Sequence, residues 1–483
     1  MKNFPHFAAR FILPMFLLMS GVAAYAIDTD GDNLDDSDDP LPNNANILNN
    51  YLDSIAGDKL GTVVAFAGDV DNDGYGDYVI GIPGYDVPSL ENPAIIKKDA
   101  GRAVVISGKN GDELMSVNGT AAGDAMGSSV AGGGDYDGDG YNDVIVGSPK
   151  KDALDIGTMK FSLKDAGAIR ILCGPDGGAQ YGRYGEHSGD LFGSSVALAD
   201  VDGDGLVDII AGAPKADDLR NPSKKIIDAG SVLVAPYDFA AFADQVFYGG
   251  SAKAYAGVAV AAGDVDHDGD ADIIIGAPND DDLANKHPDA GSISVYSIED
   301  NINPVMKKYG EVSKAYLGKS VASGDVNKDD AADVLAGAPG DDSGSLKDTG
   351  SITVFSGVDG AQLTKKSGAL AKAGLGNSVA TGDVNDDGYA DIIAGAALDD
   401  NSTLQKVMLD TGSVSVWSGN GYGWLNTSYG AASKDSFGAS VAAGDINGDG
   451  KDDLIVGIPG KDAPATKIIK DAGAVQVISA ASF

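Results

Sequence analysis

The sequence has little of what most enzymes and nucleic-acid-binding proteins use. Its 483 residues include one cysteine, four histidines and two tryptophans, and 72 acidic residues face only 34 basic ones. One cysteine excludes an intrachain disulfide, and histidines this few and scattered do not predict a zinc site. No Gly-x-Ser-x-Gly elbow, phosphate-binding loop or dinucleotide fingerprint stands out, so the sequence predicts a protein that is not an enzyme. Cys173 ends the apolar run Ala168–Cys173, which predicts a small core side chain rather than a nucleophile.

The charge balance narrows the choice of partners. The formal net charge is -38, which argues against nucleic acid and against anionic membrane surfaces. With 43% hydrophobic residues the chain can still build a core, so the charge does not predict disorder. We therefore expect a folded, soluble protein, and a monomer.

The first 26 residues have the pattern of a secretory signal peptide. Lys2 and Arg10 supply the positive charges, an apolar stretch runs over residues 11–23, and Ala24-Tyr25-Ala26 matches a cleavage site. The stretch is short for a membrane span, although a retained N-terminal anchor is the alternative. The sequence thus predicts a secreted protein, at the cell surface or in an extracellular or periplasmic space. An Asp-rich linker over residues 27–43 follows the predicted signal peptide. Loss of Lys2 and Arg10 would bring the net charge to about -40 by subtraction from the formal value.

A nine-residue motif recurs seven times after that linker. Asp or Asn occupies positions 1, 3, 5 and 9, and Gly usually occupies position 6. Oxygen ligands at this spacing suit a hard cation, with a backbone carbonyl from position 7, so the motif predicts seven calcium sites. The predicted ligands, in order of positions 1, 3, 5, 7 and 9, are Asp69, Asp71, Asp73, Tyr75 and Asp77; Asp135, Asp137, Asp139, Tyr141 and Asp143; Asp200, Asp202, Asp204, Leu206 and Asp208; Asp264, Asp266, Asp268, Asp270 and Asp272; Asp325, Asn327, Asp329, Ala331 and Asp333; Asp383, Asn385, Asp387, Tyr389 and Asp391; and Asp445, Asn447, Asp449, Lys451 and Asp453.

These loops are not EF-hands, because position 12 is apolar in every copy and the flanking segments read as strands. The position 9 Asp is therefore predicted to supply the closing, bidentate carboxylate. An acidic β-turn without metal is the alternative, but carboxylates this close repel one another strongly unless a cation or protons lie between them.

The linker contains an eighth candidate site. It resembles one unit of a thrombospondin type 3 repeat, which implies calcium binding, and a solvated acidic linker is the alternative. The predicted ligands, at positions 1, 3, 5, 9 and 12, are Asp28, Asp30, Asp32, Asp36 and Asp39.

Each repeat unit of about 60 residues has four strand-like runs and no helical periodicity, which predicts an all-β, seven-bladed β-propeller over residues 44–483. Phe192-Gly193, Phe437-Gly438 and the triplets Gly212-Ala213-Pro214 and Gly276-Ala277-Pro278 resemble FG-GAP repeats, the units of the integrin α-subunit propeller. The first residue of the Phe-Gly pair differs in the other units (Leu60, Met126, Ala256, Leu317 and Leu375), and Ala397 replaces Pro in the sixth unit.

Strand counting also predicts how the ring closes. The seventh unit ends after its third strand, and residues 46–56 precede the first unit where other units carry a fourth strand. The segment 44–56 would therefore complete the last blade and remove an exposed edge. A flexible leader is the alternative.

The resemblance implies a function as well as a fold. In the integrin-like family the metal loops join strands one and two on one face, and the connections on the opposite face take the ligand. The expected function is an adhesion or recognition module for a protein or glycan partner. The alternative is a carbohydrate-active propeller, either a lectin or a polysaccharide lyase. The acidic pairs that follow the Gly-Ala-Pro triplets could in principle act on glycosides, but their recurrence favours a role in shaping loops. The connections expected to line the binding face are residues 84–98, 150–164, 215–227, 279–288, 340–347, 398–409 and 460–470.

Overall fold

The computed structural model describes residues 23–25, 47–52, 57–89, 92–155, 160–175, 177, 179–236, 244–298, 303–401, 407–463 and 468–480. These residues form seven antiparallel sheets of four or five strands, and their first strands contact one another around the full circle, from blade 7 back to blade 1. The chain is thus an all-β propeller with seven blades. The Asp-rich linker, including Asp28, Asp30, Asp32, Asp36 and Asp39, lies outside the described residues.

Within each blade the strands follow one another from the centre of the ring outward. The first strands are Val63–Gly68, Ser129–Gly134, Ser195–Ala199, Ala259–Gly263, Ser320–Gly324, Ser378–Gly382 and Ser440–Gly444. The second strands are Asp77–Ile82, Asp143–Ser148, Asp208–Ala213, Asp272–Ala277, Asp333–Ala338, Asp391–Ala396 and Asp453–Ile458. The third strands are Arg102–Ile106, Ala168–Cys173, Ser231–Ala235, Ser292–Tyr296, Ser351–Phe355, Ser413–Trp417 and Ala474–Ile478. The fourth strands of blades 1 to 6 are Glu113–Asn118, Ala179–Tyr184, Gln245–Tyr248, Met306–Tyr309, Gln362–Ser367 and Trp424–Tyr429.

Blade 7 takes its outer strand from the beginning of the chain. Ile47–Leu52 pairs antiparallel with Ala474–Ile478, and the Tyr51 side chain is 2% exposed. A short fifth strand, Ala23–Tyr25, pairs with the outer side of Ile47–Leu52. It falls inside the predicted signal peptide, so cleavage at the predicted position would remove it and leave four strands. Two small hairpins, Val87–Pro88 with Ile96–Lys97 and Ala153–Asp155 with Lys160–Leu163, lie between second and third strands.

The core lies between blades. Every residue of all seven second strands is buried, because each sheet is covered by a neighbour on both faces. The apolar clusters mix residues of adjacent blades, as where Val79 and Val105 of blade 1 join Val130 and Val144 of blade 2. No blade therefore has a complete core of its own.

The glycines of the sequence motifs make this close packing possible. A Cβ on Gly337, the Gly of a Gly-Ala-Pro triplet, would collide with the carbonyl oxygen of Gly376, the Gly that follows Leu375 in the next blade. The same contact recurs from blade to blade and closes the ring between Gly457 and Gly61. Glycine is required there because a neighbouring backbone occupies the side-chain position.

Candidate metal sites and family

The seven Asp loops lie on one side of the ring. Each is the eight-residue connection between a first and a second strand, and the position 9 Asp is the first residue of the second strand. Because the strand is buried, that carboxylate is at most 2% exposed in every blade. Positions 1, 3 and 5 stay half-buried or exposed. Each loop therefore brings one buried and several more accessible oxygen-bearing side chains together.

Backbone amide groups hold the loop carboxylates in place. In the first loop, Asp69 accepts hydrogen bonds from the N–H groups of Asp73 (3.0 Å) and Gly74 (2.9 Å), and Asp73 accepts one from Tyr75 (3.1 Å). Equivalent bonds occur in all seven loops. The carboxylates at positions 1 and 5 are thus oriented before any cation binds.

The position 9 carboxylate bridges the loop to the blade. Asp77 Oδ2 accepts from the N–H of Val70 (2.8 Å), and Oδ1 accepts from Gly108 (3.1 Å) at the end of the third strand. The first of these bonds recurs in every blade. Since a carboxylate oxygen has two lone pairs, each oxygen of Asp77 keeps one for a cation. The predicted bidentate contact therefore stays open to this residue.

Burial raises the pKa of the carboxyl group at position 9. Desolvation raises the pKa of Asp77, Asp208, Asp272 and Asp453 to about 7, although backbone hydrogen bonds lower it. The pKa values of the other three, Asp143, Asp333 and Asp391, rise to about 6 for the same reason. A cation must displace a proton from these groups near neutral pH, so metal affinity falls as the pH falls through this range.

Left-handed backbone at positions 4 and 6 makes the loop tight. Position 6 is Gly in six loops, with φ between +79° and +103°, and Asp330 in the fifth, with φ of +69°. A side chain in this region costs roughly 1–2 kcal/mol, less for Asp than for most residues. The fifth loop therefore carries backbone strain that the others avoid at position 6.

The donor set fits a divalent cation. In the first, third and fourth loops, oxygens of positions 1, 3 and 9 lie within 4.8 Å of one another, and in the second loop Asp135, Asp137 and Asp139 do. At position 3, buried Oδ1 atoms of Asp137, Asn327 and Asn385 have no hydrogen-bond partner among the described residues. Oxygens left unpaired beside carboxylates are what a cation would satisfy.

Two features of the loops were not predicted from the sequence. Cys173, buried as expected, lies within 4.8 Å of Asp137 and Asp143 at the end of a third strand. Five other blades have a serine at this position: Ser107, Ser297, Ser356, Ser418 and Ser479. Burial and the two carboxylates raise the pKa of Cys173 above the usual thiol range, so it is a neutral thiol rather than a nucleophile.

The second feature is a set of hydrogen bonds between neighbouring loops. The N–H of Ala332, at position 8 of the fifth loop, donates to the carbonyl of Asp264 at position 1 of the fourth (2.7 Å). Corresponding backbone bonds join Val207 to Asp135, Ala271 to Asp200, Ala390 to Asp325 and Asp452 to Asp383. The side chain of Asn142 makes the equivalent contact with the carbonyl of Asp69 (3.2 Å). The residue at position 1 thus serves its own loop with its carboxylate and the neighbouring loop with its carbonyl oxygen.

On the opposite side of the ring, the acidic pairs shape the backbone. Seven aspartates precede Ala-Gly or Thr-Gly, and all have φ of +48° to +53°. Their N–H groups each donate to an acidic residue in the same connection, at 2.8–3.0 Å. One member of every acidic pair is such an acceptor: Asp217, Asp281, Asp342 and Asp400. In each turn a carboxylate of the same connection thus caps the backbone N–H of the aspartate with positive φ.

Comparison with known proteins agrees with this architecture. The family model "FG-GAP repeat" matches residues 126–172, 192–234, 256–296, 317–355, 375–417 and 437–478, which together are more than half of the chain. Among curated proteins, integrin alpha-V of Gallus gallus is 31% identical over 218 residues, covering 43% of this chain and 20% of the integrin. Integrin alpha pat-2 of Caenorhabditis elegans is 33% identical over 168 residues, 32% of this chain and 13% of the relative.

Integrin alpha-PS2 of Drosophila melanogaster is 33% identical over 153 residues, 30% of this chain and 10% of the relative. The chain spans a fifth or less of the length of each of these proteins. Among the described residues, no helix has the length and apolar character to cross a bilayer. Six matched repeats, together with seven blades built on the same loop and glycine contacts, show that the chain belongs to the FG-GAP repeat family.

Proposed function

We propose that this protein is a secreted, calcium-stabilised recognition module that binds a protein or glycan partner through the side of the ring opposite the metal loops. The observation that carries the proposal is where the blades differ. The connections between first and second strands all have eight residues, and those between blades all have ten. The connections between second and third strands are the longest and span the widest range, from 12 to 19 residues, whereas those between third and fourth strands have 5 to 9.

The variable connections also expose apolar side chains. Each of the seven carries at least one exposed large aliphatic residue, among them Leu283 at 77% and Ile468 at 63%. Exposed apolar groups concentrated on one side of a soluble protein mark an interaction surface more often than isolated ones do. Surface loops on a rigid scaffold are the usual place for recognition.

Calcium supports recognition indirectly in this proposal. The predicted ligands are the side chains at positions 1, 3, 5 and 9 and the backbone carbonyl at position 7 of each loop. Seven divalent ions would add +14 to the charge of the acidic loop side. With the loops neutralised, the blades are held in register, and the variable connections are displayed on a rigid ring.

Partner capture from the medium into which the protein is exported tests the proposal. The tagged full chain should retain a partner in calcium and lose it in a chelator. Replacing residues 279–288 with the shorter connection 340–347 should reduce capture without changing bound calcium. The control is Val358→Ser, which alters an exposed residue of the metal-loop side (65% exposed) and should leave capture unchanged. Capture that depends on Val358 but not on 279–288 would contradict the proposal.

A further inference from the structure

The second metal loop, in blade 2, differs from the other loops by the side chain that lies beside it. Cys173, the only cysteine of the chain, ends the third strand of blade 2 and is 2% exposed. Five other blades have a serine at this position, and blade 3 has Pro236. A thiolate selects softer metal ions such as zinc, whereas carboxylate and carbonyl oxygens suit calcium. One loop of the seven thus has a neighbour of a different chemical kind.

The thiol and two loop carboxylates form a compact set of donors. The sulfur of Cys173, an oxygen of Asp137 at position 3 and an oxygen of Asp143 at position 9 all lie within 4.8 Å of one another. Zinc bonds of about 2.3 Å to sulfur and about 2.0–2.2 Å to oxygen would hold these atoms about 3.6 Å apart in a tetrahedral site. The three donors therefore need to approach one another by only about 1 Å to share one ion.

One oxygen in this set has no partner. The Oδ1 atom of Asp137 is buried and accepts no hydrogen bond from the described residues. A buried carboxylate oxygen costs free energy unless a hydrogen bond or a cation compensates it. This unpaired oxygen is evidence for a bound cation that does not depend on the presence of the cysteine.

The fold fixes the other two donors. Asp143 is fully buried, and its two oxygens accept hydrogen bonds from the N–H groups of Tyr136 (2.7 Å) and Gly174 (3.0 Å). Because Gly174 directly follows Cys173, the bond that orients the carboxylate also holds the backbone next to the thiol. The sulfur and the position 9 carboxylate are thus positioned by the same contact.

The donors of the second loop fall into two groups that share Asp137. On the exposed side Asp137 lies with Asp135 and Asp139, and on the buried side it lies with Asp143 and Cys173. In the first, third and fourth loops the corresponding group contains the carboxylates of positions 1, 3 and 9. The second loop therefore offers an all-oxygen group to a hard ion and a mixed group to a softer one. Since Asp137 belongs to both groups, the two ions would compete.

We propose that the second loop is a site for zinc, or for another divalent ion that binds thiolate, in preference to the calcium expected at the other six loops. One bond forms from the metal to Cys173 and one each to Asp137 and Asp143, and an oxygen of the loop or of water fills the fourth position. The thiol proton leaves to solvent, and no group changes its oxidation state. When calcium is the only divalent ion present, the loop binds it through its oxygens. The inference goes beyond the proposed function and requires no partner.

Zinc titration of the full chain in calcium tests the assignment. Protein in ~1 mM calcium receives a small excess of zinc, is separated from free metal, and is analysed for both elements. The chain should retain one zinc ion and lose one calcium ion. Cobalt is the spectroscopic probe, because a thiolate bound to Co²⁺ gives a near-ultraviolet charge-transfer band that carboxylates do not give. No retained zinc, zinc at several loops, or cobalt binding without this band would overturn the proposal.

Two variants locate the zinc ion. Cys173→Ser gives blade 2 the serine of five other blades, so the fold and the calcium count should be kept. Loss of an outer-shell partner alone weakens metal binding by about 10- to 100-fold, so loss of the thiolate should weaken zinc binding by at least about 100-fold. Asp137→Asn creates the position 3 residue of the last three loops and should weaken zinc binding at least about tenfold, with the cobalt band retained.

Asp71→Asn is the matched control, because it makes the same change at position 3 of the first loop and should leave zinc affinity unchanged. Melting curves in calcium establish that each variant is folded. If Cys173→Ser retains zinc as the unmodified chain does, or if Asp71→Asn weakens zinc binding as much as Asp137→Asn, the assignment is wrong.

The two metal counts separate this inference from the predicted calcium sites. Zinc that depends on Cys173, in a chain that binds no calcium, would support the zinc site and refute the calcium loops. Seven calcium ions that zinc does not displace would support the calcium loops and refute the zinc site.

Discussion

The two sides of the ring are built under different constraints. On the metal-loop side, the connections between first and second strands have eight residues in every blade, and the same hydrogen bonds recur seven times. On the other side, connections of 12 to 19 residues share little beyond the capped aspartate turn. Of the 32 Lys and Arg residues after position 26, 22 lie in connections on this second side and three in connections on the metal-loop side.

Hydrogen bonds between neighbouring metal loops require those loops to be uniform. A loop residue such as Ala332 bonds to the preceding loop, so a change in the length of one loop would disturb its neighbour as well. The variable connections bond to the connections between blades near their ends, as where Gly189 N–H donates to the Lys164 carbonyl (2.9 Å) and Lys215 N–H to the Asp190 carbonyl (3.2 Å). Uniformity thus follows where coupling extends along a whole short loop, and diversity lies in the middle of connections that are coupled near their ends.

Removing calcium from the metal-loop side should have the largest effect on the stability of the protein. With a dissociation constant near ~0.1 mM, calcium at ~1 mM stabilises each site by roughly 1.4 kcal/mol. Seven sites would contribute about 10 kcal/mol, comparable to the whole net stability of a domain. Because the entropy of unfolding grows with chain length, we expect a chelator to lower the melting temperature by about 10 °C in scanning calorimetry, and magnesium at equal ionic strength to restore little of it. A shift of a few degrees would show that the loops are not the main constraint.

Truncation of the segment that precedes the first blade should have the next largest effect on stability. Deleting residues 27–56 from the mature chain removes Ile47–Leu52 and its buried Tyr51, and leaves the third strand of blade 7 as an edge. Loss of one buried aromatic side chain alone costs about 3–5 kcal/mol. Deleting only residues 27–43 is the matched control and should change the melting temperature little. If both deletions melt within a degree or two of the full chain, Ile47–Leu52 does not close the ring.

Replacing a glycine that contacts the next blade should have an intermediate effect on the free energy of unfolding. Gly337→Ala places a methyl group against the carbonyl of Gly376 in the next blade, so we expect a loss of about 1–3 kcal/mol in chemical denaturation. Gly423→Ala is the control, because no atom lies within 4 Å of its Cβ position and its φ is ordinary. Equal stabilities for the two variants would argue that blades are less closely coupled than the contact implies.

The smallest predicted effect is the difference in stability between variants of different metal loops. The fifth loop has Asn327 at position 3 and a left-handed Asp330 at position 6, so it should bind calcium most weakly. Asp329→Ala should therefore lower the melting temperature in calcium less than Asp204→Ala in the third loop, a difference of at most about 1.4 kcal/mol. The sixth and seventh loops, which have Asn at position 3 but keep Gly388 and Gly450, should fall between. An equal or larger loss for Asp329→Ala would reverse the ranking.

The sequence predicts local features of this molecule well, because the loop spacing and the strand periodicity repeat in register. Apart from the closure of the last blade by residues 44–56, which strand counting predicts, it gives no sign of the contacts between repeats. The bond from Ala332 to Asp264 joins residues 68 positions apart, and the clash that requires Gly337 involves Gly376 of another blade. The cavity of about 420 Å³ between blades 2 and 3 is also non-local, because residues of both blades line it, Tyr184 from one and Ala216 from the other. Aromatic side chains are few in the variable connections, yet Tyr184 and Tyr248 line this cavity from the outer strands.

Counting bound calcium tests the central claim most directly. Protein dialysed in calcium and analysed for elemental content should hold about seven ions per chain, or eight if the Asp28 segment binds one. Replacing the position 9 Asp of a single loop, as in Asp208→Ala, should lower the count by one or by two, since neighbouring loops share hydrogen bonds at position 1. Fewer than four ions in the unmodified chain would contradict the account of seven metal loops.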